Sequence, residues 1–370
     1  MALKTCIGLD LGSNAIKLAH LKVGRGDRPE FLAWGIEPLP PESIVDGAIM
    51  NQGAVAETVR ALVGRLGVRE RRVALAVAGN AVIIKKILLP AMTDEELEEQ
   101  IPWEAEQHIP FDKNDVDLDY QVLSGKNAQG QMELLLVAAK KDVVRDYTSV
   151  AREARLDPVV VDVATFAMQN AFEQAYGPLV PEENYVLINI GASVSNINIL
   201  SAGTTAFTRD VMTGGNLFTD EIKRQLNVPF DEAEELKRAA AEGSELPGPE
   251  KRSTGKLTGA PREAERILHQ TADQIAGEFS KSIDFFLASH PDVAIGKVYL
   301  AGGSARVRSL QRAIAARAHV EIELIDPFRR LTVVEGSGRG KFDLGFLKAH
   351  AAQATISVGL ALRSQGDKFE

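Results

Sequence analysis

Three short segments combine glycine with the residue types that hold phosphate, metal and a flat ring. The first is Gly8-Leu9-Asp10-Leu11-Gly12-Ser13-Asn14-Ala15-Ile16-Lys17. A glycine at a turn lets backbone N–H groups approach a phosphate, and a serine hydroxyl adds a donor. Asp10 can hold water on a phosphate-bound Mg2+, while Lys17 offers the phosphates a point charge. An ordinary hairpin with solvated Asp10 and Lys17 also fits this segment read alone. The second, Asn189-Ile190-Gly191-Ala192-Ser193, repeats the arrangement. The third is Tyr299-Leu300-Ala301-Gly302-Gly303-Ser304-Ala305. A strand ending in Gly-Gly ahead of a helix allows close approach to a ring and sets a helix N-terminus beside it. A glycine-rich strand-to-helix turn is the plain alternative, and Gly214-Gly215-Asn216, opening another helix, shares the ambiguity.

The elements that carry these segments occur twice. Strands are expected over 6–11, 15–23 and 31–37, and again over 185–190, 195–200 and 205–211, from apolar runs separated by turn residues. Laid over each other, Leu9-Asp10-Leu11-Gly12-Ser13 and Ile188-Asn189-Ile190-Gly191-Ala192 match apolar, polar, apolar, glycine and small residue in order. This is an internal duplication of a strand–phosphate-loop–strand unit. Two related halves imply a cleft, and opposed hairpins can grip one polyphosphate from both sides.

After the first three strands, a helix over 51–66 carries Val55, Val59, Leu62 and Leu66 at helical spacing, and strands follow over 73–78 and 82–89. A compact insert comes next. Thr93 and Glu96 form a capping box ahead of an acidic first turn, and Pro102 is expected to break or kink that helix. Strands over 116–123 and 133–138, a helix over 141–155 and a strand over 159–163 complete it. After the second set of strands come an acidic helix over 231–241 and a Gly/Pro/Ser-rich stretch, 242–261, expected as a mobile surface loop. A long helix over 262–289, a βαβ unit over 297–325 and a closing helix over 355–363 end the chain.

The totals narrow the function. The 370 residues suggest two or three domains, and 45% hydrophobic with 25% charged residues is the balance of a soluble globular protein. A net charge of -9 with no basic cluster argues against nucleic acid as the main partner. The single cysteine, Cys6, excludes an internal disulfide and reads as a small buried thiol, and the six histidines lack zinc-ligand spacing. Residues 1–11 lack a signal-peptide pattern, and nowhere do 18 apolar residues run together, so a cytoplasmic protein is expected.

These motifs, in this order, resemble the phosphate 1, phosphate 2 and adenosine motifs of the actin-like ATPase superfamily, which has ribonuclease H-like duplicated α/β domains. The insert lies where the cell-division protein FtsA carries its distinctive subdomain. Trp103-Glu104-Ala105-Glu106-Gln107-His108-Ile109-Pro110-Phe111, together with Asn189-Ile190-Gly191-Ala192-Ser193 and Asn196-Ile197-Asn198-Ile199-Leu200, is similar to the PilM family, cytoplasmic actin-like components of type IV pilus assembly. The resemblance spans essentially the whole chain. It implies a first core half over 1–84, an FtsA-type subdomain over 85–158, a bridge and second half beginning over 159–212, a nucleotide-side helical subdomain over 213–295 and the end of the second half over 296–370.

By that resemblance ATP and Mg2+ are the cofactors. Asp10, Gly12, Ser13, Asn14 and Lys17 would meet the phosphates and metal, with Asp10 acting on Mg2+ through water. Asn189, Gly191, Ala192 and Ser193 would face them, and Gly214, Gly215 and Asn216 would lie beside the nucleotide. Glu234 and Lys237 resemble ribose and adenine contacts, although an exposed i, i+3 ion pair reads as well from the spacing. Gly302, Gly303 and Ser304 would pack on the adenine side. The superfamily has Asp where this chain has Asn189, and the bridging segment 164–171 offers Thr165 and Gln169 but no carboxylate. ATP binding with slow or negligible hydrolysis is therefore expected, with no residue assigned as catalytic.

A small-molecule kinase of the same fold is the rival reading, but it needs a base near the acceptor hydroxyl. An FtsA-like filament protein would carry a basic amphipathic C-terminal helix, which the ending Arg363-Ser364-Gln365-Gly366-Asp367-Lys368-Phe369-Glu370 lacks. A heat-shock chaperone would carry a substrate-binding domain after the nucleotide domain. The PilM-like reading implies docking of the short cytoplasmic N-terminal segment of the inner-membrane protein PilN, in a groove beside the insert, with Trp103, Ile109 and Phe111 as candidate contacts or insert core. It implies a cytoplasmic protein held at the inner membrane through its partners, with nucleotide coupled to docking.

Overall fold

The computed structural model of the chain describes residues 4–24, 28–242, 260–333, 343–364 and 366. The chain forms two compact units, one of Met1–Gln174, Arg330–Phe342 and Ile356–Glu370, the other of Ala175–Arg329 and Asp343–Thr355.

The first unit runs β1 (Lys4–Leu11), β2 (Ala15–Val23), β3 (Glu30–Pro38), the small hairpin β4 (Ile44–Val45) and β5 (Ala48–Ile49), α1 (Gln52–Leu66), β6 (Arg72–Val77), β7 (Val82–Pro90), α2 (Asp94–His108), β8 (Val116–Ser124), β9 (Gln131–Lys140), α3 (Lys141–Glu153), β10 (Asp157–Val163) and α4 (Ala164–Tyr176). The second runs β11 (Tyr185–Ile190), β12 (Ser195–Ser201), β13 (Thr204–Val211), α5 (Asn216–Leu226), α6 (Phe230–Glu242), α7 (Ala260–Ser289), β14 (Lys297–Ala301), α8 (Arg308–Ala318) and β15 (Glu321–Leu324). Strand β16 (Thr332–Val333) rejoins the first unit, and α9 (Leu344–Ala361) closes the described chain. The unit boundaries fall inside α4 and α9.

The first unit's main sheet has the order β10-β6-β1-β2-β3-β16, and the second unit's has β13-β12-β11-β14-β15. In each, three antiparallel strands are followed by two parallel ones: β1 pairs β2 antiparallel and β6 parallel, as β11 pairs β12 antiparallel and β14 parallel. The register is also repeated. Asp10 lies opposite Lys17, and Asn189 lies opposite Asn196. Helices α5 to α8 surround a core in which Phe218, Phe279 and Phe286 are fully buried, each contributing roughly 1.5–3 kcal/mol.

Local signals explain most boundaries. Asn51 caps α1 by accepting from Ala54 N at 3.1 Å, and Gly67 ends it in the left-handed region at φ 64. Thr93 and Glu96 form the expected capping box of α2. Pro102 does not break that helix: Asp94–His108 is one element. Leu97 and Ile101 are buried before the proline and Ala105 after it, all on the insert's core. Burial of the two large side chains, roughly 1.5–3 kcal/mol each, offsets the ~3 kcal/mol that an interior proline costs. Helix α9 begins at Leu344, well before the expected 355, because the alanine-rich stretch through Ala354 favours helix and buries Leu347, Ala351 and Ala352. Of the loop expected over 242–261, residues 243–259 lie outside the described residues.

The insert is a three-stranded sheet, β7-β9-β8, with α2 on one face. Among the described residues β8 has no second neighbour, and neither has β10 at the end of the main sheet.

Candidate functional site

In the first unit the β1–β2 hairpin holds its charged pair ready at the turn. Lys17 Nζ lies 3.2 Å from Asp10 Oδ2, with both side chains largely shielded. A Cβ on Gly12 would sit 2.7 Å from that ammonium and 3.0 Å from the Ala15 carbonyl oxygen, so glycine leaves the turn its fullest room beside the charged pair. Ser13 and Asn14 complete the turn, and the Asn14 carbonyl accepts from Leu39 N at 3.0 Å. A polyphosphate with a hydrated cation fits this chemistry: one ammonium, one carboxylate and a glycine-bearing backbone turn.

The second unit gathers every other expected residue. The Gly191-Ala192-Ser193 turn is braced by the start of α5, where Gly215 N donates to Gly191 O and Asn216 N to Ala192 O, both at 2.8 Å. Asn216 Nδ2 donates to Ser193 Oγ at 3.2 Å, and Ser304 Oγ donates to Gly191 O at 3.3 Å. The amides of Gly215 and Asn216, expected to lie beside a nucleotide, therefore fix the turn that carries Gly191. Gly214 is packed so closely that a Cβ would come 2.5 Å from Gly191 O.

Glu234 and Lys237 are neighbours one turn apart on α6, but they are not an exposed pair. Glu234 is 7% exposed, and its Oε1 accepts from both Lys237 Nζ and the Thr219 hydroxyl. Lys237 Nζ also donates to Thr219 Oγ1 at 2.9 Å and to Gly215 O at 3.4 Å. Burial pulls the Lys237 pKa below that of a free lysine, and the Glu234 carboxylate opposes the shift. The cluster ties α6 to the start of α5, and Thr219 is the member the motifs did not reveal. Gly302, at φ +91, crosses so close to Ile190 O that no side chain fits, and a Cβ there would lie 2.8 Å from Asn189 Oδ1. Gly303 lies against Gln353 of α9.

Two polar residues were given no role by the motifs: Asn196, quoted only in the family resemblance, and Asp210. Asn189 Nδ2 donates to Asn196 Oδ1 at 2.9 Å, and Asn196 Nδ2 donates to Asp210 Oδ1 at 2.8 Å. Asn196 could have been found from the duplication, because it occupies the register position that Lys17 holds in the first hairpin. The carboxylate missing from 164–171 appears further along the same helix: Glu173 accepts from Gln169 Nε2 at 2.9 Å, and burial raises its pKa.

A second site lies within the first unit. A cavity of about 280 Å3 opens between the insert's sheet and the β10 edge. Its apolar wall includes Leu135, Val137, Val163 and Phe166. Asp117 and Asp119 of β8 stand exposed at the rim, and the negative charge of Asp119, Asp94 and Glu98 adds to burial in raising the Tyr120 pKa. Arg363 and Asp162 also line the cavity, Nη1 to Oδ2 3.4 Å apart, with side chains 13% and 6% exposed.

Of Trp103, Ile109 and Phe111, expected as groove contacts or insert core, the last two belong to the insert core. Strand alternation sends Val116, Leu118 and Tyr120 toward α2, where Ile109 and Phe111 pack, and Asp117 and Asp119 away from it. Trp103 is 60% exposed, with Lys113 Nζ 4.3 Å above its ring. None of Trp103, Ile109 and Phe111 lines the cavity.

The sequence model of the family described as type IV pilus assembly protein PilM matches residues 8–365. Among solved structures, one described as the PilM-PilN type IV pilus biogenesis complex has a chain similar to this one at 26% identity and a TM-score of 0.81, covering 97% of this chain and 98% of that one. The ethanolamine utilization protein EutJ from Carboxydothermus hydrogenoformans shares 14% identity at a TM-score of 0.56 over 98% and 91% of the two chains. MreB 5 of Spiroplasma citri, bound to AMPPNP, shares 14% at 0.50 over 96% and 94%. The fold is that of the actin-like ATPases, as the duplicated motifs led us to expect.

Proposed function

The chain belongs to the PilM family of type IV pilus assembly proteins, and on that premise we propose that it is a nucleotide-binding docking platform for the cytoplasmic tail of PilN. The observation that carries the docking half is the cavity beside the insert. It is bounded by two strand edges, β8 and β10, has an apolar wall and is rimmed by Asp117 and Asp119. An extended peptide adds main-chain hydrogen bonds to such an edge and buries alternate side chains in the apolar wall. Cytoplasmic segments next to a membrane span are rich in Lys and Arg, so the acidic rim matches the charge of the proposed occupant. The peptide would hold the chain at the inner membrane.

The nucleotide half rests on the two hairpins. Asp10, Lys17 and the Gly12-Ser13-Asn14 turn supply phosphate and Mg2+ contacts from the first unit. Asn189 and the Gly191-Ala192-Ser193 turn supply them from the second, with Gly302, Gly303 and Ser304 on the adenine side. Glu234 and Lys237 orient α5 and α6 around that side. ATP with Mg2+ is the proposed cofactor. Its metal would be held through water, and the charge it brings would offset the repulsion among phosphate oxygens.

Hydrolysis is proposed to be slow. Asn189 carries no negative charge with which to draw a proton from the attacking water. A turnover of tens per second at saturating Mg·ATP would refute this. The docking reading is tested by titrating the Mg·ATP-loaded protein into a labelled PilN tail peptide, then repeating the titration without nucleotide. Saturable binding, with a scrambled peptide silent, is the expected result. No binding by folded protein would overturn it and return attention to a kinase screen.

A further inference from the structure

We propose that Asp210 is a positioning residue that fixes the polarity of the Asn189 side chain, so that Asn189 presents an oxygen rather than an NH2 group toward the nucleotide's metal-bound water. The inference rests on the nucleotide-binding reading for its functional part only.

The argument follows from donor and acceptor inventory. A carboxylate can only accept, so Asp210 compels Asn196 to turn its NH2 toward it, and the bond is 2.8 Å. Asn196 is 2% exposed, so its amide has no water to rescue the opposite orientation. With its nitrogen committed, Asn196 offers Oδ1 to its cross-strand neighbour, and Asn189 must donate to it, at 2.9 Å. Asn189 Oδ1 is thereby left as the outward acceptor, and among the described residues nothing donates to it. That oxygen is turned toward Gly302, at the carboxyl end of β14, where a Cβ would sit 2.8 Å from it and none is present. Ligands of open parallel sheets bind at these carboxyl ends.

A carboxamide lacking this relay would flip readily, and its NH2 face would repel the protons of a metal-bound water. The Asp210–Asn196–Asn189 chain thus keeps the acceptor function of the superfamily's aspartate while giving up its charge. This explains how a site without that aspartate can still hold Mg·ATP.

The relay can be reversed, and this supplies the test. In Asn189→Asp the single Asn196 amide lies between two acceptors, so one carboxylate loses its donor. In Asp210→Asn the orienting acceptor is gone. The double variant runs the chain backwards: Asn at 210 donates to Asn196, which donates to Asp at 189, with net charge unchanged. Melting temperatures of the four proteins without nucleotide read the relay alone. Binding of a fluorescent ATP analogue with and without Mg2+ reads its function. Asp210→Asn is expected to lower the Mg2+ enhancement of affinity about fivefold, the factor one net hydrogen bond provides. Its metal-free affinity should stay within about twofold of the parent, as expected for a change confined to one acceptor. The double variant is expected to recover both the enhancement and the melting temperature lost in Asn189→Asp. Additive melting temperatures, with no rescue in the double variant, would overturn the relay. An unchanged Mg2+ enhancement in folded Asp210→Asn would overturn its role at the metal. Absence of nucleotide binding by the parent would instead refute the nucleotide reading and with it the metal role, while leaving the melting-temperature result to judge the relay.

Discussion

Replacing Arg363 with methionine will strand the Asp162 carboxylate inside the first unit. The guanidinium keeps an aliphatic equivalent of similar length but loses its charge, while Asp162, at 6% side-chain exposure, keeps its own. Removing one partner of a buried ion pair costs about 3–5 kcal/mol, because the remaining ion is neither solvated nor paired. At roughly 2–4 °C per kcal/mol for a domain of 150–250 residues, the melting temperature at pH 7.5 falls by about 10 °C. The pH dependence identifies the cause. Burial already pushes the Asp162 carboxyl above its ordinary value, while Arg363 and the Val163 amide pull it down, and Asp119 adds to the rise. A carboxyl raised in the folded state binds more protons there than in the unfolded chain. Its destabilisation is therefore absent below the unfolded value near ~4 and grows as pH rises through the folded value. Losing Arg363 extends that window upward, so the deficit of the variant narrows as pH falls from 8 toward 5. Adding Asp162→Asn removes the stranded charge and restores most of the loss. Differential scanning calorimetry of parent, Arg363→Met, Asp162→Asn and the double variant, at three pH values, measures each term. A melting temperature within a degree or two of the parent, with no pH trend, would refute the claim that this pair is shielded from water.

Other outcomes follow from the same geometry. Asp117→Asn with Asp119→Asn is expected to weaken a basic tail peptide by roughly threefold to tenfold, as two exposed charge pairs would, and to flatten the salt dependence of its Kd; an unchanged salt slope in a fluorescence-anisotropy titration would remove the acidic rim from recognition. Gly302→Ala forces a side chain onto a φ +91 backbone against Ile190 O, with a cost of roughly 1–3 kcal/mol seen as a lower urea midpoint; a midpoint equal to the parent's would contradict the close approach. The Cys6 thiol, pushed up to about 11 by burial, will stay silent to a thiol reagent at pH 8 until the protein is unfolded. Because the folded state holds that proton more tightly than the unfolded chain, Cys6 contributes stability that declines as pH rises above ~9; rapid stoichiometric labelling of native protein would refute the burial.

Much of the fold was legible because its signals are local. The turn residues Gly12-Ser13-Asn14 and Gly191-Ala192-Ser193 sit between apolar runs of strand length, and their repetition implied two copies of one sheet, which the matching strand orders bear out. The Thr93–Glu96 capping box marked the start of α2, since a cap needs only residues three apart. Pro102 could not by itself say whether the helix breaks, because the penalty of an interior proline is local, whereas the burial of Leu97, Ile101 and Ala105 that keeps Asp94–His108 one helix depends on a sheet elsewhere in the chain. The start of α9 was misjudged for a similar reason: helix propensity from Leu344 onward is weak evidence until Leu347, Ala351 and Ala352 have a core to enter.

For the candidate site, the sequence by itself nominated residues whose types suit phosphate, metal and ring chemistry, and it determined that two hairpins share one design. Residue type and spacing suffice for that, because a turn and its flanking strands are contiguous. Only the tertiary structure decided what each polar group faces. It turned Glu234 and Lys237 inward onto Thr219, brought Asp210 to the end of the Asn196–Asn189 chain, set Arg363 against Asp162 from across the sequence and opened the cavity beside β8 and β10. Hydrogen-bond polarity and desolvation are properties of a surrounding shell, and the shell is assembled from residues far apart in sequence.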